Sequence, residues 1–254
     1  MDTMNLVESL FRWTHVVMGI IWIGHLYFFN WVNSNFAATM DAETKKKVVP
    51  ELMPRALYFF RWGAAWTWIT GLVLASMVYY QTKLVFADPP SGQWGAASIG
   101  MILVVILAFV VYDPLMKAVK DTKAQAAIGF VLTAGVVFAL KNVAGFGFRG
   151  TFIHIGAMFG TIMAANVWMR IWPSQRLIIT AIKNGEKPDP AVVAIAGLRS
   201  KHNTYMSVPL VMAMISQHGT WAASSFEFTI PALILLGWAV TFWVYKKGAS
   251  VKGF

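Results

Sequence analysis

The run FRWTHVVMGIIWIGHLYFFNWVN, residues 11–33, constrains the fold more than any other stretch: it is apolar almost throughout and is interrupted by two histidines, His15 and His25. About 20 apolar residues are what a helix needs to cross the hydrocarbon core of a bilayer. An imidazole inside such a segment is costly to bury, so it marks a functional position by default. At about 1.5 Å of rise and about 100° of turn per residue, the two rings sit roughly 15 Å apart along the axis and roughly 80° apart around it. Both can face the interior of one helical bundle, at two depths.

The rest of the chain repeats the apolar pattern. Seven spans are predicted, at about 9–32, 56–80, 95–115, 124–145, 151–171, 203–221 and 227–245. With 57% hydrophobic and 13% charged residues and a mean hydropathy of +0.59, the composition lies outside that of soluble domains. The expected fold is an all-α polytopic membrane helical bundle forming a single domain over residues 1–254. If the N-terminus is outside, the outer segments hold only Arg12, Lys83, Lys141 and Arg149 of the 21 Lys and Arg residues. The positive-inside rule then predicts an outer N-terminus and a cytoplasmic C-terminus. The net charge of +10 is thereby a topology signal, and no nucleic-acid partner is expected. The start MDTMNLVESLF lacks a basic region and a small-residue cleavage site, so no removable signal peptide is expected.

Local signals punctuate the spans. Pro50 and Pro54 are expected to close the first inner loop, with its lysines Lys45, Lys46 and Lys47, and to open the second span. The stretch ADPPSGQWG reads as an outer turn, and the third span should end at Tyr112-Asp113-Pro114. The glycine-rich KNVAGFGFRG reads as a tight outer turn or an anion clamp. Gly156, Gly160 and Ala164 recur at every fourth position, a stripe that lets a helix or a flat ring approach closely. An amphipathic inner segment is predicted at about 174–200, with Gly185 ending one helix and Asp189-Pro190 opening the next. The sixth span is unusually polar, and Pro209 should kink it. Trp13, Trp31, Trp62, Trp94, Trp172, Trp221 and Trp243 fall near span ends, as interfacial aromatics do.

The topology gives each histidine a depth. His15, His154 and His218 share an outer level on three helices, His25 is deeper, and His202 lies at the inner surface. Neutral imidazole is a strong iron ligand that carries no net charge into the bilayer. The chain has no cysteine, so disulfides, thiolate metal sites and a CxxCH attachment are excluded. The histidines therefore read as candidate ligands of one or two b-type haems, with His15, His154 and His218 the iron-ligand candidates and His25 and His202 further ones. Interhelical hydrogen bonding is the plain alternative for His154 or His218, and an interfacial role for His202.

FRWTHVVMGIIWIGHLYFFNWVN, PRALYFFRWGAAWTWITG and LRSKHNTYMSVPLVMAMISQH resemble the membrane region of the cytochrome-c-linked urate hydroxylase family. The resemblance implies an oxidoreductase of the bacterial inner membrane that hydroxylates urate in purine catabolism. It also implies an eighth span and a C-terminal cytochrome c, which the sequence up to Phe254 does not contain. Electrons are therefore expected to pass to a separate cytochrome c or respiratory complex. Arg12, Asn142 and Arg149, at the outer mouth, are the candidates to pair with a planar anionic purine. A different class of function also suits the kinked, polar sixth span: a transporter, or a haem-free accessory subunit of a respiratory complex.

Overall fold

A computed structural model describes residues 3–86 and 92–252, and the described residues are helical, with no strand among them. Helix α1 runs Thr3–Thr39, and α2 runs Ala42–Leu74 and continues as a π-helical turn, Ala75–Tyr80. Then follow α3 (Ala96–Ile106), α4 (Ala108–Ala118), α5 (Thr122–Asn142), α6 (Phe148–Asn184), α7 (Pro190–Ser216) and α8 (Phe226–Ser250). Helices α1, α5, α6 and α8 are long and apolar enough to cross a membrane, and α3 with α4, bent by 49°, makes a fifth candidate. The other two expected spans fall on α2 and α7, which are helical but do not meet that measure of length and hydropathy.

Caps and side-chain bonds explain several helix ends. Asp41 Oδ1 accepts the backbone N–H of Thr44 at 2.7 Å and starts α2, and Asp121 does the same for Ala124 at the start of α5. Gln125 donates from Nε2 to the carbonyls of Met116 and Val119, clamping the turn between α4 and α5. Gly185, at φ +79°, closes α6 in the left-handed conformation that glycine adopts without steric cost. Asp189 accepts from Ala191 N–H at 2.8 Å and opens α7, with Pro190 in its first position, as the sequence predicts.

Proline was the less reliable signal. Helix α2 begins well before Pro50 and Pro54 and runs through both. Its charged start is held by the Asp41 cap and by i,i+4 pairs from Glu43 to Lys47 and Glu51 to Arg55, each 2.6 Å. The third span does not end at Pro114 either. The break comes at Leu107, and α4 continues to Ala118 with Asp113 buried and paired to Lys117 at 2.8 Å. The proline removes a single donor, the one Val110 would have received, and the chain bends in the preceding turns instead. The amphipathic stretch at 174–200 is divided: its first half continues α6 without a break and its second half is the start of α7. The turn ADPPSGQWG, expected on the outer side, has residues 87–91 outside the described part.

The contacts group into two compact units. The first holds Met1–Thr70, Met163–Met206 and Ala239–Phe254, and the second holds Gly71–Ile162 and Ser207–Trp238. In the first unit α1 and α2 cross closely at Gly63, where an added Cβ would lie 3.1 Å from Trp22 N and 3.2 Å from Met18 O. Trp22, Leu26, Leu57 and Phe60 are buried around this crossing. In the second unit Gly156 packs against Ala213 and Met214 and Gly160 against Leu210, so this part of the small-residue stripe receives a helix. Gly237 likewise lies against the ring of Pro209, within a helix that runs on to Ser216.

Candidate functional site: histidines set into the helices

In the first unit, α1 carries His25 one turn before a π-helical turn at Phe28–Asn33. Its Nδ1 lies 2.7 Å from the carbonyl of Ile21, four residues back. A carbonyl only accepts, so Nδ1 carries the proton and Nε2 keeps a lone pair. Nε2 has no hydrogen-bond partner among the described residues. His25 lines an open groove of about 420 Å³ between α1 and α2, with Ile20, Ile21, Gly24, Phe28, Leu52 and Ala56 as the other walls. Phe59 lies nearly parallel to the imidazole at 6.1 Å and Phe29 is tilted against it at 6.3 Å.

His15, on the same helix, has Nδ1 3.2 Å from Thr70 Oγ1. Thr70 spends its one hydroxyl hydrogen on Trp66 O at 2.6 Å, so its oxygen accepts from His15, and here too Nε2 is the basic nitrogen. Trp22, two turns on, is buried with its indole N–H lacking an acceptor among the described residues. Arg12 on this helix is tied to Glu8 at 2.7 Å. His202, half-buried on α7, also belongs to this unit.

In the second unit His154 sits on α6 and is 1% exposed. Its Nδ1 donates to the carbonyl of Gly150, again four residues back, at 2.6 Å. The Nε2 lone pair is engaged: the Tyr80 hydroxyl, on the π-helical turn that ends α2, donates to it at 3.1 Å. Phe146 closes the ring from another side at 4.7 Å. Gly150 is required here, because an added Cβ would strike the backbone of Val85. Val85 O in turn accepts from Gly147 N at 2.8 Å, and Gly145, at φ +69°, makes the turn, so KNVAGFGFRG is a packed connection. Of the residues expected to meet a purine, Asn142 is exposed and bonds to its own helix at Phe138 O, and Arg149 is half-buried near the start of α6. His218 is exposed in a turn two residues past the end of α7.

Polar side chains that the sequence reading did not single out hold the first unit together. Asn30, inside the first π-helical turn, donates to Ser200 Oγ at 2.8 Å and accepts from the Tyr245 hydroxyl at 3.0 Å. Asn166 donates to Asn203 Oδ1 at 2.9 Å, and Asn203 donates to Met163 O at 3.0 Å. The polarity of α7 in this unit is thus used in helix-to-helix hydrogen bonds, each worth roughly 0.6 to 2 kcal/mol in a bilayer. The signal that could have found Asn30 was its place in FFNWVN, an amide in an otherwise apolar run. Tyr80 gave no such signal, since tyrosine near a span end needs no special explanation.

Among the described residues no group of three or more His, Asp or Glu side chains could hold a bare metal ion. The family described as urate oxidase N-terminal matches residues 40–252, a segment that includes His154, His202 and His218 and leaves out His15 and His25. No curated protein and no solved structure matches the chain.

Proposed function

The chain belongs to the urate oxidase N-terminal family, and from that membership we propose that it is the membrane redox component of a urate-hydroxylating system, holding b-type haem on an intramembrane histidine. His25 is the ligand this reading favours. The observation that carries it is the pairing of a fixed tautomer with an open groove: Nδ1–H is anchored on Ile21 O, and Nε2 is unpartnered beside about 420 Å³ of apolar space. A ligating histidine characteristically donates its second ring N–H to a backbone carbonyl, which sets the ring's orientation and raises the basicity of the other nitrogen. The residues fit a flat macrocycle in other respects as well. Gly24 leaves the groove open, since an added Cβ would meet nothing within 4 Å, and Phe28 and Phe59 offer flat apolar faces.

Haem, when bound, supplies one-electron transfer, the chemistry needed to pass electrons from urate oxidation to a separate cytochrome c or respiratory complex. The protein's own part is to hold the imidazole neutral and oriented, to exclude water with Ile20, Ile21 and Leu52, and to seat the site in a helix of the bacterial inner membrane. His15, with Nε2 likewise basic, is the natural second ligand candidate. His154 is not favoured as it stands, because its lone pair already receives the Tyr80 proton.

The deciding measurement is an optical spectrum of the purified protein with pyridine haemochrome stoichiometry. A Soret band and a reduced alpha band, with at least one haem per chain, are expected. A colourless protein that stays colourless after haem reconstitution would sink the proposal and leave the haem-free accessory subunit in its place.

A further inference from the structure

Arg61, on α2, is a guanidinium with no carboxylate partner among the described residues. Its carbon lies 4.0 Å above the ring of Trp172, 5.9 Å from that of Trp168 and 5.8 Å from that of Tyr58. Trp168 also donates from its indole nitrogen to Arg61 O at 3.1 Å, and Trp62 packs edge-on against Trp168 at 5.5 Å. The cage holds the guanidinium plane by cation–π attraction, with no counter-charge supplied by the described residues. Arg61 takes part in none of the ion pairs among the described residues. Its Nε is buried without an acceptor, and no acceptor meets its two Nη atoms, among the described residues. The neighbouring Arg55, by contrast, is held by Glu51.

We infer that Arg61 and its aromatic cage bind the phosphate of a membrane lipid headgroup. Three observations favour this occupant. A planar fork fixed by stacking suits two oxygens of one phosphate, and Arg is the side chain suited to that task. Tryptophan and tyrosine gather at the level where a bilayer's headgroups lie, and Tyr58 and Trp62 are 51% and 41% exposed on the surface of their helix. Finally, Trp172 leads directly into the amphipathic end of α6, with Leu177 61% exposed, a segment suited to lying along an interface. This inference is independent of the haem reading.

The test is native mass spectrometry of the full chain, delipidated in mild detergent and titrated with phosphatidylglycerol. The wild type is expected to retain the lipid, and Arg61→Gln to bind it about tenfold more weakly, as for the loss of one charge-assisted bidentate contact. Arg55→Gln should bind like the wild type. Equal retention by Arg61→Gln and wild type overturns the inference. So does equal binding of a diacylglycerol with the same chains, which lacks only the phosphate headgroup. Displacement of the lipid by millimolar inorganic phosphate would overturn the lipid assignment in favour of a soluble oxyanion. Should Arg61→Gln not elute as a monodisperse species, Arg61→Lys takes its place. That variant keeps the charge but loses the fork, and undiminished lipid retention by it overturns the inference equally.

Discussion

His25 and His154 begin from one device and end in opposite situations. Each lies inside a helix, each donates Nδ1–H to the carbonyl four residues earlier, and each therefore presents a basic Nε2. At His154 that lone pair is spent on Tyr80 in a closed site, whereas at His25 it borders an open groove. The local arrangement prepares an imidazole to accept something, and only its neighbours from distant sequence decide what. A histidine in a membrane helix is thus not a ligand by virtue of being there; it is available as one only where nothing in the protein has claimed its second nitrogen.

Replacing the rings tests this contrast most strongly. His25→Ala is expected to abolish the haem absorbance of the purified protein while His154→Ala retains it, read from the Soret band per chain. The reverse pattern would break the comparison. The next effect is on stability. His154→Ala leaves the Tyr80 hydroxyl and Gly150 O without their partner in a buried site and opens a cavity, at a cost of about 3 kcal/mol. His25→Ala, at an open groove, should cost about 1 kcal/mol or less, and denaturant unfolding in detergent separates the two. Tyr80→Phe removes one interhelical hydrogen bond, about 0.6 to 1 kcal/mol, and returns the lone pair to His154. A double-mutant cycle between positions 80 and 154 should then show coupling of similar size, and no coupling would remove Tyr80 from the account.

Smaller effects bound the contrast. Thr70→Val takes away the acceptor of His15 and should cost about 0.5 to 1 kcal/mol, with a change in the ring's nitrogen NMR shifts that marks a freed tautomer. Asp41 supplies a reference outside both regions. Its hydrogen bond from Thr44 N–H holds the carboxyl below the usual carboxylate range. Because the folded pKa is depressed, the capping contribution is fully present above the ordinary carboxylate pKa and fades as pH falls through the lowered value. Asp41→Asn should keep the cap and lose that acid sensitivity, measured as helix content on titration to low pH, with haem absorbance unaffected.

What could be read from the sequence follows the range of each interaction. The apolar periodicity of α1, α5, α6 and α8, the Gly185 stop and the Asp189-Pro190 start depend on neighbours within one helical turn, and these were legible. Pro50, Pro54 and Pro114 misled because a proline deletes one bond, and caps and ion pairs elsewhere in the helix decide whether that matters. The depths assigned to the histidines said nothing of Tyr80, 74 residues from His154, or Thr70, 55 residues from His15. Nothing within its own turn announces that Trp168 and Trp172 will cage Arg61. The three-histidine grouping rested on depth alone, and His218 in fact lies exposed beyond its helix end.

The π-helical turns change what a position means. Each of the turns at Phe28–Asn33, Ala75–Tyr80 and Val167–Ile171 accommodates one more residue than an α-helical turn does. Everything after it is rotated in phase by about 100° relative to an unbroken helix. Asn30, Tyr80 and Trp168 all occupy such turns, and all three make the helix-to-helix hydrogen bonds described above. Deleting one residue inside such a turn converts it to an α-helical turn and leaves the later side chains facing their present neighbours, whereas the same deletion elsewhere in the helix swings every later side chain by about 100°. Where in an apolar run one residue is gained or lost therefore decides whether partners change in this chain, even where the composition of the helix stays the same.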